Sequence, residues 1–552
     1  MSSAEPNPVR VRRLPLAGVL RIGRPSDIWF KPALSVVVAV GVPNLTLLAL
    51  GRLDLALYTM AGSLCALYAH HLPYAARGRA LAWVVLGMLA SVATALVTAS
   101  LTSSAVILVC VGALLAAAQK ALCDATRIGP PGPVIFTFIS SASLFAPQTL
   151  GQVPGHLALG AAAGAWAWLV GMAPGLVRPH GPERRATARA LHAAAAYVEA
   201  STTGPADGQE RRARAAAAAA VHAAWQPLLA TGSRQEPRRS LERLVVRVEI
   251  ALAAPGDTDP ARLRSWARDL RGTKPVPRPA PGPAADELLG VEIELTAGQA
   301  RPTSRLRPLL PLALRTALGC ALAGHVSLAL GVGRPYWALV TAAALYQANI
   351  TLTWSRGVQR VVGNLVGVLL FAAVAPLAHL GPAALVLCCL AFNFGAEALI
   401  SRNYWLGSVC VTPMALLITE FTGFQEPGGL MTDRLVDTLV GAFVGFAAAV
   451  AVTNRRAGDR IEDALDTADR ARAHAERLIA AERPGPAALE SARRRLAAAL
   501  VELRATADAA AGEWWQRALP EERVMLAEQA GHRTLAATVR RQGPHLLEGA
   551  RA

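Results

Sequence analysis

A chain of 552 residues that is 53% hydrophobic, with a mean hydropathy of +0.35, is too apolar for a string of soluble domains. Its formal charge of +17 comes almost entirely from arginine, lysine occurring only at Lys31, Lys120 and Lys274. Most of those arginines flank apolar runs, the placement of topology signals at a membrane border, which argues against nucleic-acid binding.

The segment 1–32 carries Arg10, Arg12 and Arg13 but no small-residue cleavage pattern behind its first apolar run, so a cleaved leader is not expected. Runs long enough to cross about 30 Å of hydrocarbon follow at roughly 33–51, 53–70, 80–100, 104–122, 132–150 and 153–177, giving a first membrane half, 33–178. The run at 53–70 is the weakest, since it begins at Asp54 and ends in His70-His71.

Region 179–305 changes to alanine, arginine and glutamate at amphipathic spacing, for instance over 183–200 and 209–230, with breaks at Gly204-Pro205 and Pro237. Its Pro-rich stretch 272–284 is expected to be an extended linker. Six further apolar runs, at roughly 306–331, 335–353, 359–379, 381–400, 403–420 and 431–453, make a second membrane half, 306–453. The remainder, 454–552, reads as two or three polar helices, either a coiled-coil dimerisation arm or a helical hairpin against the other polar helices.

Basic residues recur on one side of every second connection: Arg24 and Lys31, Arg77 and Arg79, Lys120 and Arg127, then Arg356, Arg360 and Arg402. That side is expected to be cytoplasmic, together with both termini, in the plasma or inner membrane. The halves also resemble each other. Tyr58, Ala66-Leu67-Tyr68 and Arg77-Gly78 recur as Tyr336, Ala344-Leu345-Tyr346 and Arg356-Gly357, and Gly160 and Gly164 recur 281 residues later as Gly441 and Gly445. The expected fold is an all-α polytopic membrane protein of two parallel six-helix membrane repeats, each followed by a cytoplasmic helical region.

Ionisable side chains inside spans are costly and mark function by default. They concentrate in the second half, at Arg315, His325, Glu397, Asp433, Arg434 and Asp437. Asp437, Gly441 and Gly445 share one helix face, where the glycines admit a close neighbour, so that Asp437 points into an interface. The glycine faces of the sixth and twelfth spans are expected to pack in equivalent positions near the boundary between the halves. Asp437 is expected to pair with Arg315 or Arg434 as a structural ion pair, or with Arg315 across the seventh and twelfth spans as a carboxylate site gated by protonation. Pro43-Asn44 and Thr412-Pro413 each free a backbone carbonyl, as a plain kink or as a cavity lining. Walker A, HExxH and GxSxG are all absent, and the seven cysteines form no CxxC or Cys/His spacing. No catalysis, cofactor or metal is expected.

The run Tyr336-Trp337-Ala338 through Gln347, Arg356, Arg360, Gly363 and Gly367, followed by Arg434, Asp437-Thr438, Gly441 and Gly445, resembles the fusaric acid resistance protein family. The alternation of membrane halves with polar helical segments extends that resemblance to nearly the whole chain. The resemblance implies efflux of small organic anions, aromatic carboxylic acids among them, driven by the proton gradient. It leaves open an organic-anion channel, a membrane-anchored scaffold whose polar helices bind partners, a homo-oligomer and a periplasmic adaptor.

Overall fold

The structure, a computed structural model, describes residues 10–11, 14, 16–23, 25, 28–126, 128–202, 207–230, 236–253, 255–272, 274–278, 306–347, 349–452, 457–482, 486–511, 515–516 and 521–549. Arg12, Arg13, Arg24, Arg127, Gly204, Pro205 and the expected linker from 279 onward lie outside those residues. Two groups of six apolar helices are present. The first is α1 (Phe30–Ala49), α2 (Ala56–Ser63), α3 (Tyr74–Leu101), α4 (Ala105–Thr126), α5 (Pro133–Leu144) and α6 (Val153–Met172). A polar set follows: α7 (Gly181–Thr202), α8 (Asp207–Ala230), α9 (Arg238–Ala253) and α10 (Pro260–Arg271). The second apolar group is α11 (Leu306–Ala329), α12 (Tyr336–Leu345), α13 (Ile350–Ala378), α14 (Pro382–Ile400), α15 (Tyr404–Thr419) and α16 (Pro427–Ala451). A second polar set, α17 (Ala457–Ala480), α18 (Pro486–Ala511) and α19 (Glu521–Gly549), ends the chain.

The long apolar helices are hydrophobic all round, which water would not tolerate. On α1, Ala33, Val36, Val40 and Leu47 are buried, while Leu34, Val38, Val42 and Leu45 are exposed and still aliphatic. A lipid environment accounts for both faces.

The expectation of twelve full spans needs a correction. Nine helices among the described residues are long and apolar enough to cross, whereas Leu53–Leu67, Pro133–Leu144 and Tyr336–Leu345 have only 10–17 residues. At 1.5 Å per residue, 10 residues cover about 15 Å, half the hydrocarbon thickness. The reason is local. α2, after a further 3-10 turn, stops at Tyr68 and α12 stops at Tyr346, each in extended backbone conformation. Non-helical backbone survives at such depth only when protein surrounds it. Tyr68 is fully buried and its hydroxyl donates to the Gly132 carbonyl at 2.6 Å, while Tyr346 is 1% exposed.

Packing between the halves is reciprocal: α1 lies against α14, and α4 against α11, so the first helix of each half meets the fourth of the other. The glycine faces of α6 and α16 occupy equivalent places, but their partner is the short second helix of their own half rather than the opposite half. A Cβ on Gly441 would strike the Ala338 carbonyl oxygen and stand 2.7 Å from Thr341 Cβ, and one on Gly62 of α2 would strike the backbone of Gly160. Only hydrogen at these positions lets the helix axes approach so closely.

Both polar sets are helical bundles with their own aliphatic cores. Leu191, Leu241 and Leu244 lie at the centre of the first, and Leu465, Leu496 and Leu503 at the centre of the second. Arg184 closes the C-terminal end of α10 by donating to the carbonyls of Asp269 and Leu270 at 3.2 Å each and of Lys274 at 2.6 Å. The second bundle packs on the first through α9 and α19, with Arg493 paired to Glu249 at 2.7 Å, which is the helical-hairpin alternative rather than the free arm. Arg10–Val11 pairs antiparallel with Trp515–Gln516, tying the N-terminal segment to the last bundle.

Candidate functional site

The second half contains a file of arginines separated by aromatic rings. α13 carries Arg356, Arg360 and Asn364 four residues apart, hence on one face, one turn above another. Tyr404, the first residue of α15, sits against the first two: the Arg356 guanidinium lies over its ring at 3.9 Å, and Arg360 Nη1 donates to its hydroxyl at 2.8 Å. One turn deeper, Asn364 Oδ1 accepts from Thr412 Oγ1 and, at 3.2 Å, from Arg434 Nη2 of α16. Arg434 also lies over the Trp337 ring at 5.2 Å, and Arg334 lies over the same ring at 5.4 Å. Arg334, in the connection between α11 and α12, pairs with Asp433 at 3.1 Å and donates to Gln425. The order Arg356, Tyr404, Arg360, Asn364, Arg434, Trp337, Arg334 therefore runs from the side bearing the polar bundles to the far side.

Electrostatically this file is positive and short of acceptors. Arg360 is 4% exposed and Arg434 2% exposed, and each lies within electrostatic reach of the other. Arg360 Nε, Arg434 Nε and Nη1, Asn364 Nδ2 and Trp337 Nε1 are buried N–H donors with no hydrogen-bond partner. Each unsatisfied buried donor costs about 1–3 kcal/mol, more on a charged group. A purely structural position is cheaper to fill with aliphatic side chains, and the first half does so. Leu81 and Val85 follow Arg77 as Arg360 and Asn364 follow Arg356, and Val153 precedes Gly160 as Arg434 precedes Gly441.

Asp437 lies one turn beyond Arg434 and is fully buried. Its Oδ1 accepts from Ser327 Oγ, and its Oδ2 has no partner. The expected pair with Arg315 is not formed, which corrects the sequence reading. Arg315 donates to the Gln347 carbonyl at 3.2 Å and lies over the Tyr346 ring at 5.2 Å. Ser327, which does meet Asp437, stands twelve residues further along the same helix, about 18 Å away at the helical rise.

The other candidates fall outside the file. His325 packs at the α4–α11 boundary, its Nδ1 at 2.7 Å from the Ala321 carbonyl and its Nε2 at 3.9 Å from Cys110 Sγ. Glu397 is half-buried on α14 and makes no hydrogen bond or ion pair with the described residues. Tyr336 is buried against Phe145 of the first half, ring centroids 5.6 Å apart. Gly363 and Gly367 form the seam between α13 and α15, where an added Cβ would stand 2.6 Å from the Trp405 carbonyl oxygen and from Thr412 Cβ respectively. The Val409 carbonyl also faces Gly367 there, and it lacks its usual helical donor because Pro413 has no N–H. Gly160, Gly164, Gly441 and Gly445 each face a neighbouring helix so closely that an added Cβ would stand within 3.4 Å of it. Sequence reasoning missed Asn364, Arg334, Tyr404 and Ser327. The i, i+4, i+8 spacing of Arg356, Arg360 and Asn364 was a readable signal, whereas the others depend on contacts between distant helices.

Residues 320–448, which contain every member of the file, match a family described as fusaric acid resistance protein-like. YvaC, an uncharacterized membrane protein of Bacillus subtilis (strain 168), is 26% identical, the match covering 79% of this chain and 74% of that protein. An uncharacterized protein of Haemophilus influenzae is 31% identical over 145 residues, covering 26% of this chain and 19% of its own length. No solved structure matches. With its apolar helices and the match over 320–448, the chain is a multi-span membrane protein whose second apolar group is similar to the fusaric acid resistance protein-like family.

Proposed function

We propose that the protein exports small organic carboxylic acids, aromatic ones among them, across the plasma or inner membrane, coupled to the proton gradient. The observation that carries this reading is the file of buried arginines with unpartnered N–H donors, interleaved with the rings of Tyr404 and Trp337. Guanidinium groups bind carboxylate by paired hydrogen bonds, and aromatic faces accept the apolar body of such a substrate. The two halves act as repeats about an axis along the membrane normal, with the working site in the second. Both termini and both polar bundles face the cytoplasm, in keeping with the basic residues on that side.

Asp437 supplies the coupling group in this reading. Its unpartnered carboxylate oxygen lies near Arg434, so a deprotonated Asp437 competes with the substrate for that cation and a protonated one releases it. An organic-anion channel is the second reading, favoured by the recurrence of arginine along the file from Arg356 to Arg334. A scaffold has no use for charges at this depth. The test is release of radiolabelled aromatic carboxylates from proteoliposomes with and without an imposed proton gradient. Gradient-dependent uphill movement supports export, and flux that follows only the anion gradient supports the channel. No flux of any organic anion sinks both.

A further inference from the structure

The short stretch 16–23 ahead of α1 has two unlike sides. Val19 is buried, and the carbonyls of Val19, Leu20 and Arg21 all accept from side chains of the second membrane half. Gln359 Nε2 donates to Val19 at 2.9 Å, Asn403 Nδ2 to Val19 at 3.0 Å and to Arg21 at 3.1 Å, and Trp405 Nε1 to Leu20 at 3.1 Å. Gly23 N–H in turn donates to the Arg402 carbonyl at 2.9 Å, close enough that a Cβ on Gly23 would touch that oxygen at 3.0 Å. A tight turn at Gly18, with φ of +85°, makes this register possible.

The opposite side is apolar and uncovered: Leu16 is 67% exposed, Leu20 39% and Ile22 57%. A strand of chain in water needs no protein donors on three successive carbonyls, because water supplies them. At the headgroup boundary of a bilayer, where water is scarce, those donors are needed and exposed aliphatic side chains are at home. The stretch is pinned to Asn403 and Trp405 at the start of α15 and to Gln359, the tenth residue of α13, on the side from which α1 enters the membrane. The residues that lead into α1 continue the same character, Trp29 being 37% and Phe30 42% exposed. Interfacial aromatic residues of this kind mark the level of the headgroups.

We propose that residues 16–23 form a strap lying in the bilayer surface on the bundle side, with Leu16, Leu20 and Ile22 inserted at the acyl boundary and the backbone fastened to Gln359, Asn403 and Trp405. The occupant of the apolar side is the lipid of that leaflet. A strap in this position links the last bundle, through the pairing of Arg10–Val11 with Trp515–Gln516, to the parts of α13 and α15 that carry Arg356 and Tyr404. The inference stands on the packing of the strap and does not depend on the proposed transport.

The test places photoreactive benzoylphenylalanine at Leu20 or Ile22 of the full chain in phospholipid nanodiscs, with Leu34 on α1 as lipid-facing control, and identifies the adduct by mass. Phospholipid adducts at Leu20 and Ile22, of yield comparable to Leu34, are expected. Asn403→Ala should lower the yield at Leu20 several-fold and leave Leu34 unchanged, which separates release of the strap from loss of the fold. Adducts to the polar bundles, adducts to a second copy of the chain, or no adduct at Leu20 and Ile22 while Leu34 reacts would each overturn the proposal.

Discussion

Arg434 and Asn364 are joined across α16 and α13 by a hydrogen bond of 3.2 Å, and both side chains keep further buried N–H donors beside it. Asn364 Oδ1 is occupied by Arg434 and Thr412, while its amide nitrogen has no acceptor, nor have Arg434 Nε and Nη1. A carboxylate is the small group whose two oxygens match such donors.

Arg434→Met should therefore separate stability from transport. The change also removes two buried N–H donors that have no acceptor, Arg434 Nε and Nη1, each costing about 1–3 kcal/mol while it is left unmade. Thermal stability in detergent is expected to hold or rise, while carboxylate flux in proteoliposomes falls at least tenfold, about 1.4 kcal/mol of lost stabilisation. Unchanged flux would remove Arg434 from the pathway.

Asp437→Asn keeps the bond from Ser327, since the amide oxygen still accepts, and deletes the group that titrates. Flux down an anion gradient should persist, and its response to an imposed proton gradient should vanish. Equal gradient dependence in variant and parent, measured across external pH, would leave Asp437 with a packing role only.

Gly441→Ala forces a methyl into the Ala338 carbonyl and Thr341, and the added bulk is expected to destabilise by about 1–3 kcal/mol. Gly429, on the same helix with nothing within 4 Å of an added Cβ, is the control. Its alanine variant should stay within about 0.5 kcal/mol of the parent, as surface changes usually do. Similar melting temperatures for the two variants would refute the close approach of α16 to α12.

A cysteine in place of Ser201, near the end of α7, should resist an impermeant thiol reagent in intact cells and react after the cells are opened. Labelling in intact cells would invert the orientation drawn from the basic residues.

Much of this fold was legible because hydrocarbon selects so strongly: each expected apolar run became a helix, and the polar bundles fell where alanine and arginine replaced leucine. The three short helices were not legible, since the average hydropathy of 53–70, 132–150 or 335–353 does not reveal where a helix stops and buried extended backbone takes over. Arg434 and Asp437 stand out in the sequence from their cost in a membrane. Their partners do not, because spacing along one helix says nothing about rotation relative to another. Arg315 and Asp437 have complementary charges, yet they are far apart along the helices that carry them.

The cross-pairing of α1 with α14 and of α4 with α11 buries the first and fourth helices of each apolar group against the other group. Burial of that kind leaves neither surface unsatisfied, so self-association through it would require the molecule to open first. Any assembly of several copies has to use outward faces instead, such as the one bearing Trp83 and Leu86 on α3 or Leu439 and Phe443 on α16. Each copy would then keep the arginine file seen among its described residues enclosed within its own second apolar group.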